Sequence, residues 1–232
     1  MRERLGRMVL TIVMIVGGLA MLFPFVWTVI TSITPGASLT ATPNLIPENP
    51  SLAPYLQLFT GASFGKAIVN SLVIAIVSTV LQVATSAMAA YVFARMPFRG
   101  RGAVFVLYLA TMMIPFQVLI APLFAEMKAL GLINTYLGVI LPTVVSTFGV
   151  FLLRQAMVTV PPELDQAATL DGAGHFRIFS QILLPLVRPA LTTVAVFCFL
   201  NTWNSFLWPL IILRDPTMQT LPVALTSLQG QY

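Results

Sequence analysis

Charge is scarce in this sequence. Only 8% of its residues are Asp, Glu, Lys or Arg, against 58% that are hydrophobic. A soluble domain carries about 25% charged residues and could not cover its surface with so few. A freely soluble globular protein is thereby excluded, and lipid is left as the solvent for most of the surface. Cysteine is nearly absent as well. Cys198 stands alone, which rules out an internal disulfide framework and suits a packing role. His175 is the only histidine. No metal or nucleophile constellation can be assembled, and a single histidine near Arg177 reads as an interface or solvated residue. The phosphate-binding run G-x-x-x-x-G-K-[ST] is missing too, since Gly65-Lys66 lacks the upstream glycine and is followed by Ala67. The net charge of +5 does not signal nucleic acid, because the basic residues are thinly spread and have no aromatic platforms among them.

What the sequence has instead is five long uncharged runs: 8–33, 67–94, 102–125, 129–153 and 189–213. A hydrocarbon core about 30 Å thick needs roughly 20 apolar residues in a helix, so each run is long enough to cross. Helices are required because lipid cannot satisfy free backbone N–H and C=O groups. A β-barrel would show shorter segments of alternating polarity. The expected fold class is an all-α polytopic membrane protein forming one transmembrane domain over 1–232. The first run exceeds the 7–15 residues of a signal-peptide core and reads as a retained span. Pro115, Pro142, Pro185 and Pro189 are expected to bend or delimit helices, since proline removes a backbone hydrogen bond.

The basic residues orient the chain. Arg2, Arg4, Arg7, Arg95, Arg99, Arg101, Arg154, Arg177 and Arg188 fall in alternate connections, and only Lys66, Lys128 and Arg214 in the others. The positive-inside bias places the N-terminus in the cytoplasm. Segments 34–66 and 214–232 are then external, and 161–181 is cytoplasmic.

That cytoplasmic segment is unusually polar: "ELDQAATLDGAGHFRIFSQILLPLVRP". Pro161 and Pro162 suit the first turn of a helix, and Glu163 and Asp165 lie near its positive dipole end. Gln166, Ala167 and Ala168 continue it, and Gly172 stands where a left-handed glycine would stop it. A second helix can begin near His175. The residues alone leave two readings open: an amphipathic connector resting on headgroups, or a docking element whose small side chains let another surface approach.

The stretch resembles the EAA loop of the membrane subunits of binding-protein-dependent ABC importers. The pattern reads here as Gln166-Ala167-Ala168-Thr169-Leu170-Asp171-Gly172-Ala173, with Leu184-Pro185 downstream. Gln166 stands where the pattern has glutamate and keeps hydrogen-bonding capacity without charge. "FPFVWTVITSITP" (23–35), "MIPFQVLIAPLF" (113–124), "NTYLGVILP" (134–142) and "WNSFLWPL" (203–210) are similar to the carbohydrate, maltose-type branch.

The resemblance implies the type I importer permease fold, of which five spans are visible and a sixth is expected beyond the C-terminus. It implies a bacterial plasma (inner) membrane location. The implied partners are a second, related permease chain, two ATPase subunits, an extracytoplasmic solute-binding protein and a carbohydrate solute. ATP and Mg would sit on the partner ATPase, with no cofactor or metal on this chain, which is not itself an enzyme. Glu163, Asp165, Gln166, Ala167, Ala168, Asp171, Gly172, Ala173 and Gly174 would form the ATPase-coupling element. The segments 34–66 and 214–232 would receive the binding protein.

No charge lies inside the five runs, whereas an ion-coupled carrier commonly places a carboxylate there. Neutral polar and aromatic groups do occur: Gln117 in the third run and Asn201, Trp203, Asn204 and Trp208 in the fifth. Amides and indoles suit a sugar, so these five are candidates for the translocation pathway. Helix–helix adhesion and interfacial anchoring are the competing roles. The alternatives in function are an importer of another small solute, such as a glycerol phosphate diester, a secondary carrier, or a passive scaffold.

Overall fold

The computed structural model describes residues 2–34, 46, 49–61 and 64–229. Parts of the two expected external segments, 35–45, 47–48, 62–63 and 230–232, lie outside the described residues. All regular structure among the described residues is helical. The chain divides into two units, 1–62 and 63–232.

The first unit holds α1 (Arg2–Ser32) and α2 (Ala53–Gly61). Helix α1 is apolar over its whole circumference from Met8 onward, as a lipid-facing helix must be. Its threonines do not leave hydroxyls unmet: Thr11, Thr28 and Thr31 donate to the carbonyls of Arg7, Pro24 and Trp27, four residues back. The Tyr55 hydroxyl of α2 donates to Ser32 Oγ at 2.7 Å, and the Ser51 amide to the Ile33 carbonyl at 2.7 Å.

The second unit is built on α3 (Phe64–Arg95), an unbroken 32-residue helix. It is followed by α4 (Arg101–Ala110), α5 (Phe116–Ala129), α6 (Tyr136–Ile140), α7 (Thr147–Thr159) and α8 (Glu163–Leu170). Helix α9 (His175–Arg177) runs through a π-helical stretch, Ile178–Leu183, into α10 (Leu184–Leu186). The chain ends with α11 (Arg188–Trp203), α12 (Leu207–Ile212) and α13 (Leu221–Gln229).

Helices α3, α7 and α11 pack together as the central layer. In lipid the apolar effect does not drive helices together, so close van der Waals fit and small residues must. That is what the seam contains. Ala87, Ala90, Val150, Leu153, Met157 and Val194 are buried there. A Cβ on Gly149 would stand 2.7 Å from Ser86 Oγ and 3.1 Å from Val194 Cγ1, so only glycine permits this approach. Ser86 in turn donates to the Ser146 carbonyl at 3.2 Å. A second cluster, Ile74, Met127, Val139, Ile140, Trp208 and Ile212, closes the other end of the layer.

Only two of the five uncharged runs form unbroken helices of spanning length, Gly6–Ser32 and Phe64–Arg95. The other three candidates are broken pairs: Arg101–Met113 with Phe116–Ala129 at 94°, Tyr136–Thr143 with Thr147–Thr159 at 45°, and His175–Leu186 with Arg188–Trp203 at 81°. Proline explains the first break, because Pro115 forces Ile114 into extended backbone (φ −83°, ψ 114°). Pro142 precedes the second and Pro189 opens α11 after the third. The boundaries of the runs shift accordingly. Helix α5 carries Glu126 and Lys128 within it, past the expected end at 125. The run 189–213 is two helices, α11 and α12, separated by the turn at Asn204–Phe206.

Candidate functional site

The polar stretch folds as a helix, a turn and a helix. Leu164, Asp165 and Gln166 donate their amides to the carbonyls of Pro161 and Pro162, which starts α8. The helix ends in a Schellman turn: the Ala173 amide bonds the Ala168 carbonyl at 2.9 Å and the Gly172 amide the Thr169 carbonyl at 3.0 Å. Gly172 takes φ +80°, the left-handed conformation that glycine tolerates. Gly174 has φ −77° and ψ 167°, extended backbone open to any residue. Its carbonyl accepts the amides of Arg177 and Ile178 and begins α9. Asp171 sits at the C-cap with its carboxylate exposed, and the backbone alone closes the turn.

One face of this element is fastened to the central layer. Asp165 Oδ2 lies 2.7 Å from Arg95 Nε at the end of α3, with both side chains largely buried. Arg95 also donates through Nη2 to the Val160 carbonyl at 2.7 Å. Ala168 and Ala173 pack against the core, so of the two alanines in the motif only Ala167 points outward. Tyr91 Oη and His175 Nδ1 are 3.1 Å apart, which ties the second helix to α3 as well.

The other face is free. Glu163, Gln166, Ala167 and Gly172 are exposed, and two large apolar side chains stand almost fully out, Leu170 at 90% and Phe176 at 81%. Exposed leucines elsewhere in a membrane protein meet lipid, but these two stand among Asp171, Arg177 and Gln166. An apolar tip ringed by polar groups marks a docking surface. Neither residue was singled out in the sequence, although both lie within the expected coupling segment.

A second feature lies on the same layer. A cavity of about 250 Å³ opens where three helix interruptions converge. Phe116 comes from the break after Met113, Thr143 and Ser146 from the break before α7, and Ser205 from the turn between α11 and α12. Interrupted helices at such a place are tolerated where they border a cavity. Gln82, near the middle of α3, and Asn201, on α11, complete the polar lining.

Of the five pathway candidates, Asn201 and Trp208 line this cavity. Trp208 is buried and its indole N–H is committed to the Gly138 carbonyl at 3.2 Å, so it presents a ring edge to Phe116 and a ring surface to the cavity. Trp203 stacks on Phe199 instead, with centroids 5.8 Å apart. Asn204 turns its amide back onto the Leu200 carbonyl at 2.7 Å. Gln117 is exposed and lies outside the lining. Gln82, Thr143, Ser146 and Ser205 were passed over in the sequence. Gln82 alone carried a readable signal, an amide in the middle of an apolar run.

At the far end of α3 a polar network holds the segment after α12. Asn70 Nδ2 donates to the carbonyls of Thr217 and Gln219, each at 3.0 Å, and its Oδ1 accepts from the Tyr136 hydroxyl at 2.7 Å. Ser71 Oγ accepts the Leu221 amide at 2.7 Å. Asn134 accepts the amides of Arg214 and Asp215, each at 3.0 Å, from a left-handed backbone with φ 60°. Thr217 donates its amide and hydroxyl to Asp215 Oδ1, which holds that exposed carboxyl below the usual carboxylate range.

An all-helical layer with interrupted spans, a tethered helix–turn–helix and a cavity at the breaks defines a transport permease rather than an enzyme fold. The chain belongs to the family described as "Binding-protein-dependent transport system inner membrane component", whose profile matches residues 82–231. It is 40% identical to the arabinooligosaccharides transport system permease protein AraQ of Bacillus subtilis (strain 168), over 97% of this chain and 82% of that one. It is 32% identical to the sulfoquinovosyl glycerol transport system permease protein SmoH of Agrobacterium fabrum, over 97% of this chain and 79% of the relative. In fold it matches a bacterial ABC transporter involved in alginate import, with a TM-score of 0.86 at 23% identity, covering 97% of this chain and 80% of that one. The type I importer permease fold is thus the fold of this protein.

Proposed function

We propose that this chain is a translocation subunit of an ATP-driven importer for a sugar or oligosaccharide, moved by a separate ATPase through the helix–turn–helix at 161–181. The observation that carries the reading is the two-faced build of α8. Its inner face is pinned by Arg95, Ala168 and Ala173, and its outer face offers Gln166, Ala167 and Leu170. An element pinned to the spans on one side and free on the other can pass a displacement from a partner to those spans. A partner shifts the equilibrium between two arrangements only by binding them unequally, and a rigid tether converts such a difference into movement of the helices.

In this reading the N-terminus and the docking element face the cytoplasm, and ATP and Mg are held by two ATPase subunits. A second, related permease completes the pathway, and an external solute-binding protein delivers the solute at the end where Asn70 and Asn134 hold the segment after α12. The solutes named for the relatives support a saccharide: arabino-oligosaccharides for AraQ and a sulfoquinovosyl glycoside for SmoH.

The test is co-purification of the complex from cells expressing all its subunits, followed by ATPase assay with and without the binding protein. A four-subunit core whose hydrolysis rises with the binding protein is the expected result. Ala167→Trp, which adds bulk only to the outward face, should leave the permease folded and abolish the rise. Unchanged stimulation in that variant would remove α8 from the coupling role.

A further inference from the structure

Gln82 is 8% exposed, and its side-chain amide has no hydrogen-bond partner among the described residues. A buried amide left unmet inside a membrane protein is costly. Neighbouring polar groups have found partners, as when Ser86 bonds the Ser146 carbonyl and Thr85 bonds the Val144 carbonyl. The Gln82 amide instead borders the 250 Å³ cavity at the three helix breaks. Across that cavity stand Asn201 and Ser205, and Trp208 and Phe116 supply aromatic surface. No charged residue is in the lining.

We propose that this cavity is a subsite for one ring of a neutral sugar, with the Gln82 amide as its main hydrogen-bonding group. The inference rests on the importer reading above and names the solute class the chain itself accepts. Three features select the class. An amide donates and accepts at once, which matches a hydroxyl and not a carboxylate or phosphate. Aromatic surface at Trp208 and Phe116 meets the C–H face of a sugar ring. The absence of a cation from the lining leaves an anionic group unpaired in a poorly solvated place, which disfavours it. The volume is just below the roughly 300 Å³ at which small-molecule sites begin, so it admits a single ring and not a chain. Gln82 and Asn201 each lie thirteen residues from an arginine, Arg95 and Arg188, or about 20 Å along their helices. Both amides thus sit at one depth within the apolar layer, where a solute in transit has shed most of its water.

The experiment uses the whole complex, both permeases with both ATPases, in ATP-loaded proteoliposomes with the binding protein. Uptake is measured for labelled arabinotriose, lactose and glycerol 3-phosphate in wild type, Gln82→Leu, Gln82→Asn and Asn201→Leu. The wild type should take up a neutral saccharide. Gln82→Leu should lower that uptake about tenfold, the usual scale for one lost hydrogen bond, while binding-protein-stimulated ATP hydrolysis stays within about twofold of wild type. Gln82→Asn, which keeps a shorter amide, should fall between them. Wild-type uptake in both leucine variants would overturn the subsite. Loss of uptake and stimulated hydrolysis together in Gln82→Leu and Gln82→Asn would assign Gln82 to packing and overturn it too. Uptake confined to glycerol 3-phosphate would overturn the neutral class. A wild-type complex without stimulated hydrolysis would remove the importer reading itself, and is recognised because no variant is needed to see it.

Discussion

Arg95 and Asp165, seventy residues apart in sequence, meet at 2.7 Å where α3 ends and the docking helix begins. The contact is a charge pair whose Nε–H is not aligned as a hydrogen bond, and Asp165 Oδ1 is buried without a partner among the described residues. Arg95 uses another nitrogen to hold the Val160 carbonyl. One guanidinium thus grips the connection at two points, one just before α8 and one within its first turn.

Removing either partner should loosen that grip unequally. Arg95→Leu leaves a buried carboxylate and a free carbonyl, a loss of about 2–4 kcal/mol. Asp165→Asn keeps the Val160 bond and should cost about 1–2 kcal/mol. Arg95→Lys supplies a point charge without the planar fork and should resemble Asp165→Asn. Binding-protein-stimulated hydrolysis should survive better than solute uptake in all three, because the docking face is intact and its tether is not. Parallel loss of both activities in each variant would show that the pair does no more than hold the fold.

The two glycines of the turn separate backbone strain from space. A Cβ would meet nothing within 4 Å at either Gly172 or Gly174. Gly172 has φ +80° and Gly174 has extended backbone. Gly172→Ala should therefore cost about 1 kcal/mol and weaken the end of α8. Gly174→Ala should be nearly silent in the isolated permease, as read by thermal unfolding in detergent. If Gly174→Ala nevertheless impairs binding of the ATPase, the partner approaches that glycine closely, which this chain alone does not require.

How much of this was legible beforehand follows from the range of the interactions. The end of α8 at Gly172 and the start of the next helix at His175 are local chemistry, carried by neighbours within four residues, and the sequence reading found both. Pro115 and Pro142 announced interruptions, but the bend after a proline depends on what the freed segment packs against. The 94° turn at Ile114–Pro115 follows from the burial of Met127 and the packing of Phe116 beside Ile74 and Trp208. Charge-free length marked where apolar helix occurs and could not tell a straight span from a folded one. The pairing of Arg95 with Asp165 and the exposed amide of Gln82 depend on contacts across the layer, so residue type alone could not distinguish them from a topology arginine and a helix-adhesion glutamine. Asn204 and Trp203 drew attention by composition, yet one caps its own helix and the other stacks on Phe199.

Asn70 offers the last test, at the opposite end of α3. All of its side-chain hydrogen-bonding groups are engaged on elements distant in sequence, the carbonyls of Thr217 and Gln219 and the hydroxyl of Tyr136. Asn70→Leu keeps the volume and strands three polar groups, so the permease should lose about 2–3 kcal/mol. The damage should be local, because Ser71 still holds the Leu221 amide and Asn134 still holds those of Arg214 and Asp215. Limited proteolysis should then cut between Asp215 and Thr220 in Asn70→Leu while wild type resists, with α3, α7 and α11 protected in both. In the assembled complex the same variant should raise the binding-protein concentration needed for half-maximal ATPase stimulation, leaving the maximum unchanged. That split follows if the segment receives the binding protein and takes no part in passing force from α8. An unchanged half-maximal concentration in a variant that is demonstrably cut there would place the binding protein elsewhere on the permease.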